Sequence, residues 1–340
     1  MKIAVLAGGL SPEREVSLSS GSLIANALCE RGHEVALADV YLGTGGKTPA
    51  ELFSKNGGYS HKIPETPPDL DALKKEAGIG ERLIGHGIAA LVHEADVVFL
   101  ALHGGMGENG QLQAYLDCLG IKYTGSGFAS CLAAMDKNLS KTIFRAAGVP
   151  TASWVYCTAE EAAEKEISFP CVIKPCSCGS SVGVTMVDTA EEMSAALDAA
   201  KKYEDNIIIE EKLFGREFSI GVLAGRTLPA IEIRPKGEGF YDFTKKYKAG
   251  LTEEICPAPL TEEQAARLSE LALRAHKALG LGDYSRIDFI LDEEKGDFYC
   301  LEANTLPGMT PMSLMPQEAA AAGIAYGELC EMIAKTAYDK

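Results

Sequence analysis

Apolar positions recur along the chain in two rhythms, short unbroken runs and runs spaced three or four apart, and the two alternate. Lys2 to Ala7 is an apolar run ending at Gly8-Gly9, as a buried strand would. Leu18, Leu23, Ile24, Ala27 and Leu28 then keep helical spacing over Ser17 to Arg31, and Gly32 stops the helix. Glu34 to Val40 is a second strand. Strand, glycine turn, helix and strand open a parallel α/β sheet. Segment 43–90 holds Gly43 to Gly46, Gly57-Gly58 and Pro64 to Pro68, so it reads as loops with one short helix near Leu70 to Ala77. Order returns with a strand at Ala95 to Leu102, a helix at Gln111 to Leu119 and a short strand at Ile121 to Thr124.

Beyond Gly125 the units shorten. The spacing predicts a helix over Met135 to Ala147, a strand at Trp154 to Cys157, a helix at Ala159 to Glu166 and a strand at Cys171 to Lys174. A helix at Glu191 to Tyr203 and a strand at Ile207 to Glu211 follow. The last stretch carries strands at 218–223 and 228–234, a glycine, lysine and tyrosine loop at 236–250, and a long helix at Thr261 to Gly280. Alternating strands near 285–291 and 298–304 and a final helix at Ala325 to Tyr338 close the chain. The expected organisation is 1–125, 126–210 and 211–340: three α/β units, the first a parallel-sheet domain.

Composition narrows the partners. The 340 residues carry 32 Lys and Arg against 48 Asp and Glu, a net charge of −16. Such a surface repels nucleic acid and anionic membranes, so any phosphate ligand needs a local cluster of cations and backbone N–H groups. No apolar run reaches membrane-spanning length, and the short N-terminal run is no signal peptide. The ten cysteines are scattered without a CxxC, which points to reduced thiols and a cytoplasmic location.

Six segments carry candidate chemistry. If the hairpin at 285–304 turns symmetrically about Lys295, Arg286 faces Asn304 and Asp288 faces Glu302, with all four polar groups on one side. Ile287–Ala303, Phe289–Leu301 and Leu291–Tyr299 then pair on the core side. Two carboxylates and an amide oxygen suit Mg²⁺; an ordinary solvated sheet face fits the same pattern. Val172 to Gly183 delivers Lys174 into a small-residue loop able to cradle phosphate, although it is no Walker A loop. Gly8 to Ser17 and His103 to Gly110 follow strands at the edge where α/β sheets bind ligands. Lys236 to Tyr247 has the make-up of a lid, and Ile208 to Leu213 sits where a nucleotide base could dock on backbone groups.

Together these segments resemble the D-alanine–D-alanine ligases of the ATP-grasp superfamily. The resemblance rests on GGxSxEREVSL at Gly8 to Leu18, HGxxGENGxxQ at His103 to Gln113, MDK at Met135 to Lys137 and IKPxxxGSSVG at Ile173 to Gly183. It continues through FYDFxxKY at Phe240 to Tyr247, RIDF at Arg286 to Phe289 and LEANTxPGMT at Leu301 to Thr310, with Ser313-Leu314 after it. It implies an α/β fold, α+β in its ATP-grasp part, with an N-terminal parallel-sheet domain followed by a two-lobed ATP-grasp fold. The implied activity joins two D-alanine molecules through a D-alanyl phosphate, with ATP as substrate, for peptidoglycan precursors.

The implied roles follow residue by residue. Lys137, Lys174, Ser181 and Lys246 serve the ATP phosphates; Glu210, Glu211 and Leu213 hold adenine, and Glu217 the ribose. Asp288, Glu302 and Asn304 bind two Mg²⁺ (or Mn²⁺). Glu13, with Val16 and His103, receives the first D-alanine, and Ser180 and Tyr247 join Glu13 in locking the lid. Arg286 and the Gly308 N–H form an oxyanion site, and Ser313 and Leu314 receive the second substrate. A homodimer is implied; activation by K⁺ has no motif here. Asn109 stands where the family often has Asp, and Cys178 where Glu or an apolar residue is usual. Two other readings remain: a sister ligase using D-serine or D-lactate, against which Tyr247 argues, and a nucleotide-binding regulator without ligase activity.

Overall fold

A computed structural model describes residues 1–64, 66–179, 182–235 and 252–340. Among the described residues the chain forms three sheets, each with helices packed against it. In the first, β1 (Lys2–Ala7) lies between β2 (Glu34–Asp39) and β3 (Val97–Leu100), all parallel. β1 is continuously apolar because both its faces are covered, as a central parallel strand requires. The helix Arg14–Glu30 lays Ile24 and Leu28 on this sheet, and the C-terminal helix Tyr326–Tyr338 packs Leu329 and Ile333 into the same core. The strand expected at Ile121 to Thr124 is a single bridge, Val98 to Tyr123. Segment 43–90 contains the expected helix Leu70–Ala77, capped by the Asp69 carboxylate and by Gly78 at φ 60°, and also the helices Pro49–Leu52 and Ile88–His93.

The second sheet is antiparallel, in the order β4 (Trp154–Thr158), β7 (Asn206–Glu211), β5 (Cys171–Pro175), β6 (Thr185–Val187). The helix expected over Ala159 to Glu166 is only a 3-10 turn, Glu161–Glu164. Thr158 and Glu161 bond each other's backbone N–H reciprocally, but Lys165 is already extended and the helix cannot propagate. The helix expected over Met135 to Ala147 forms as Lys137–Ala146, and a further helix, Phe128–Met135, which the spacing did not announce, precedes it. Asp136 breaks them apart. Its backbone is extended (φ −79°, ψ 107°) and its Oδ1 accepts from Leu139 N at 2.8 Å, capping the second helix. Lys137 thereby occupies the first helical position, with its stem aimed off the helix start.

In the third sheet β8 (Arg216–Leu223) pairs with β9 (Arg226–Thr227), and the main path runs β11 (Thr252–Ile255), β10 (Ile231–Pro235), β8, β12 (Tyr284–Asp292), β13 (Asp297–Asn304). The strand expected at 228–234 is interrupted at Pro229, which has no N–H to give a ladder. The helix Glu262–Ala278 starts from a Thr261–Gln264 capping box and covers one face with Leu268 and Leu271. Under it Phe298 meets Phe218 and Phe289 edge-on, at 5.6 and 6.4 Å between ring centres. The helix Leu314–Ala321, which the spacing did not announce, packs Met315 and Ala319 toward the first domain.

Candidate active site

The hairpin β12–β13 keeps half of its expected register. Arg286 pairs with Asn304, Ile287 with Ala303 and Asp288 with Glu302; past Asp288 the register slips, so that Phe289 faces Cys300 and Leu291 faces Phe298. The expected pairs Phe289–Leu301 and Leu291–Tyr299 do not form. The turn is the cause. Asp292 Oδ1 accepts from the N–H groups of Glu294 and Lys295, Gly296 N bonds back to Asp292 O, and Gly296 takes φ 70°. This four-residue turn is one residue tighter than the symmetric one, and the surplus is absorbed as a bulge. Bulges re-aim side chains: Cys300 and Phe298 go to the core, while Leu301 joins Ile290 in the wall of a cavity.

On the polar face Arg286 donates from Nε and Nη2 to the two oxygens of Asp288, at 2.9 and 2.8 Å, and Asn304 Nδ2 donates to Asp288 at 3.0 Å. Burial works against the Arg286 charge; Asp288, with Glu302 and Glu318 further out, more than compensates and keeps the guanidinium protonated. Among the described residues no three Asp, Glu, His or Cys side chains converge into a metal cage. Asp288 and Glu302 offer carboxylate oxygens and Asn304 an amide oxygen, on one face, and leave most of a coordination shell to other oxygens. That donor set fits Mg²⁺, which prefers few carboxylates plus phosphate and water.

Opposite stand the loops of the first domain. Ser11 Oγ donates to His103 O at 2.8 Å and accepts from Glu13 N at 3.1 Å, tying the two loops together. A side chain on Gly104 (φ 67°) would come within 3.0 Å of Glu13 Oε2. Glu13 is therefore beside His103, and Val16 follows in the first turn of the helix Arg14–Glu30. His103 is buried, with Nε2 3.4 Å from Ser20 Oγ. Desolvation lowers its pKa, and Glu13 and the Leu306 backbone counter it only in part.

Glu108, inside the second loop motif but assigned no role by the sequence, is the acid that joins both sides. Desolvation, then the charges of Glu13 and Glu302, push its carboxyl up to about 8, against the opposing pull of Arg286. Its Oε2 lies 4.0 Å from where a Gly179 side chain would start. Nearby, a side chain on Gly308 would meet Ser313 Oγ at 2.9 Å. Ser313 opens the helix Leu314–Ala321, its Oγ accepting from Thr310 N at 3.1 Å, and Leu314 is buried against Ile231 and Ile233.

The cavity behind Leu301 has a volume of about 810 Å³ and lies between the second and third sheets. Lys174, Glu210, Glu211, Leu213 and Glu217 all line it, and its size is that of a cofactor-sized site. The Glu210 carboxylate takes Lys174 Nζ at 2.6 Å and Lys141 Nζ at 3.3 Å. Burial would raise its pKa, but the two ammonium charges prevail and hold it at about 2. On the opposite wall Arg216 and Arg234 each make a two-pronged pair with buried Glu232, whose pKa these bonds hold at about 2. Lys137 lies off this lining: its Nζ donates to Cys178 O at 2.5 Å. Cys178 thus enters through its carbonyl, and burial raises its thiol pKa. All ten cysteines are free. Ser180, Ser181, the lid at 236–250, Lys246 and Tyr247 lie outside the described residues.

Sequence reasoning missed Lys141, Arg216, Glu232, Arg234 and Glu108. The helical spacing of Lys141 one turn after Lys137 was the available signal for the first; the others had only their place in a strand or motif.

A parallel-sheet domain whose strand-edge loops face an oxygen-rich antiparallel hairpin, with a lysine-lined cavity between two sheets, is the ATP-grasp type of ligase. Residues 2–126 match the family model D-ala D-ala ligase N-terminus, and residues 143–335 the model D-ala D-ala ligase C-terminus. A D-alanine–D-alanine ligase of Pediococcus pentosaceus is 42% identical, over 98% of this chain and 96% of its own length. One from Lacticaseibacillus casei is also 42% identical, over 97% and 93%. The crystal structure of the D-alanine–D-alanine ligase from Bacillus anthracis aligns with TM-score 0.75 and 32% identity, over 99% of this chain and 97% of that one; its complex with ATP gives 0.73 and 30%. The chain belongs to the D-alanine–D-alanine ligase family.

Proposed function

We propose that this enzyme joins two D-alanine molecules into D-alanyl-D-alanine for peptidoglycan precursors, converting ATP to ADP and phosphate. The observation that carries the reading is the meeting of the Glu13–His103 loops with the Arg286–Asp288–Glu302 face, beside a cavity floored by Lys174. A free carboxylate does not react with an amine, because oxide is too poor a leaving group. An oxygen of the first D-alanine carboxylate attacks the γ-phosphorus and ADP departs, leaving an acyl phosphate. The amine nitrogen of the second D-alanine attacks the acyl carbon and gives up a proton to water or a phosphate oxygen; the tetrahedral centre collapses, and phosphate leaves as the amide forms.

The proposed parts are these. Glu13 anchors the first ammonium group, with His103 and Val16 lining its side. Lys137 and Lys174, with Lys246 and Ser181, bind phosphate oxygens, and the cavity holds the adenosine. Arg286 and the Gly308 N–H stabilise the oxyanion, and Ser313 and Leu314 receive the second D-alanine. Two Mg²⁺ (or Mn²⁺), when held by Asp288, Glu302 and Asn304, neutralise charge on the phosphates. Ser180 and Tyr247 close the lid with Glu13, keeping water from the acyl phosphate. The working unit is a cytoplasmic homodimer built from domains 1–125, 126–210 and 211–340; light scattering tests the stoichiometry.

Phosphate release from ATP, with D-alanine, D-serine, D-lactate or L-alanine supplied singly and in pairs, tests the reading. D-alanine alone should support release, with D-alanyl-D-alanine as the product by mass. Release needing D-serine or D-lactate beside D-alanine would make it a sister ligase. No amino-acid-dependent release would leave a nucleotide-binding protein.

A further inference from the structure

Beneath the cavity floor lies a buried polar chain that runs between the sheets. Lys141 is 1% exposed, on the helix that starts at Lys137 and one turn along it. Its Nζ donates to Thr151 Oγ1 at 2.6 Å and lies 3.3 Å from Glu210 Oε1. The other oxygen of Glu210 takes Lys174 at 2.6 Å. Thr151 Oγ1 passes its own proton to Cys300 O at 2.8 Å, next to the bulge that turns Leu301 into the cavity. Trp154, the single tryptophan, pairs with Glu210 across β4 and β7, and its ring centre is 5.3 Å from Lys141 Nζ.

We propose that Lys141 is a positioning residue for nucleotide binding: it fixes one oxygen of Glu210 so that the other holds Lys174 in the cavity. The inference rests on the reading of Lys174 as a phosphate ligand. A Lys–Glu pair in which Glu210 bonded Lys174 alone would leave one buried carboxylate oxygen without a donor, and such a carboxylate can turn. Lys141 is sheathed by Trp154 and Thr151, is not part of the cavity lining and does not reach the nucleotide; its effect passes through Glu210. The three side chains sum to one positive charge. Removing Glu210 alone brings two ammonium groups together in a low-dielectric site, whereas removing Glu210 and Lys141 together restores the single charge.

Three variants and one control test this, with ADP affinity, nucleotide-dependent Trp154 emission and thermal midpoint as readouts. Lys141→Met should weaken ADP binding about tenfold, the loss of one charge-assisted bond, and blunt the Trp154 response, with the fold retained by circular dichroism. Glu210→Gln should be worse. Glu210→Gln with Lys141→Met should bind ADP better than Glu210→Gln alone, a reversal that a merely structural role would not produce. A double variant no better than Glu210→Gln overturns the proposal, even if Lys141→Met is too unstable to measure. The control is Lys174→Met. If it keeps parental ADP affinity, the phosphate-ligand reading fails. If it loses affinity while Lys141→Met does not, only the role of Lys141 fails.

Discussion

Glu210 and Glu108 are two carboxylates of one site, the first buried and the second half-buried, and their pKa values end far apart: Glu210 at about 2 and Glu108 at about 8. Desolvation is the largest influence on both and raises both. What differs is company. Glu210 has a lysine on each oxygen, while Glu108 faces Glu13 and Glu302 and, among the described residues, is countered by the Gly104 N–H and the charge of Arg286. Burial therefore sets how much a neighbour matters, and the neighbour sets the sign. The nucleotide side of the site is built from satisfied charge. The amino-acid side holds a carboxylate that, among the described residues, is short of counter-charge, next to where an ammonium substrate is proposed to sit.

The sharpest break of this contrast is Glu210→Gln. It leaves Lys141 and Lys174 buried without their anion, a change that costs about 3–5 kcal/mol when one partner of a buried pair is lost. The depressed pKa dictates the pH window. Glu210 contributes its stability fully above the ordinary carboxylate pKa and loses it as pH falls toward 2. Denaturation midpoints of parent and variant should thus lie far apart at pH 7 and converge between about pH 4.5 and 2. A gap that stays constant over that range would show that Glu210 is not held by charge. Next in size is Arg286→Ala, expected to slow turnover about 10²–10³-fold, the typical loss of one oxyanion donor. ADP affinity, set on the other side of the site, should stay within about twofold. Equal loss of both would merge the two regions into one.

These regions were not equally legible in the sequence. The hairpin could be read because strand alternation puts Arg286, Asp288, Glu302 and Asn304 on one face whatever the exact turn. Its far half could not: the slip to Phe289–Cys300 depends on how Asp292 folds the turn, and no alternation records that. Asp136 shows the same limit in a helix. The helix over Met135 to Ala147 was legible from its spacing, but the start that Asp136 caps, and the aim of Lys137 at Cys178 O, were not. The cavity floor was least legible. Lys141, Thr151, Glu210 and Cys300 come from four segments, and only packing brings them together. Glu108 lay inside a motif, but its unusual proton affinity comes from desolvation in the folded chain and from Glu13 and Glu302, all set by packing between segments distant in sequence.

The smallest expected effect probes that affinity directly. In the unfolded chain Glu108 titrates in the ordinary carboxylate range; in the folded one it titrates near 8. A group whose pKa rises on folding keeps its stabilising contribution below the unfolded value and loses it as pH climbs through the folded one. Glutamine in its place has no proton to lose. Glu108→Gln should therefore match the parent near pH 4.5, draw ahead as pH rises, and melt about 2 °C or more above it at pH 9, the shift expected from about 1 kcal/mol in a chain of this size. Added Arg286→Ala should widen the parent's disadvantage, because Arg286 is the cation that keeps Glu108 from rising further. If the melting difference between parent and Glu108→Gln is the same at pH 4.5 and pH 9, Glu108 is ionised throughout, and the two carboxylates differ in position but not in charge.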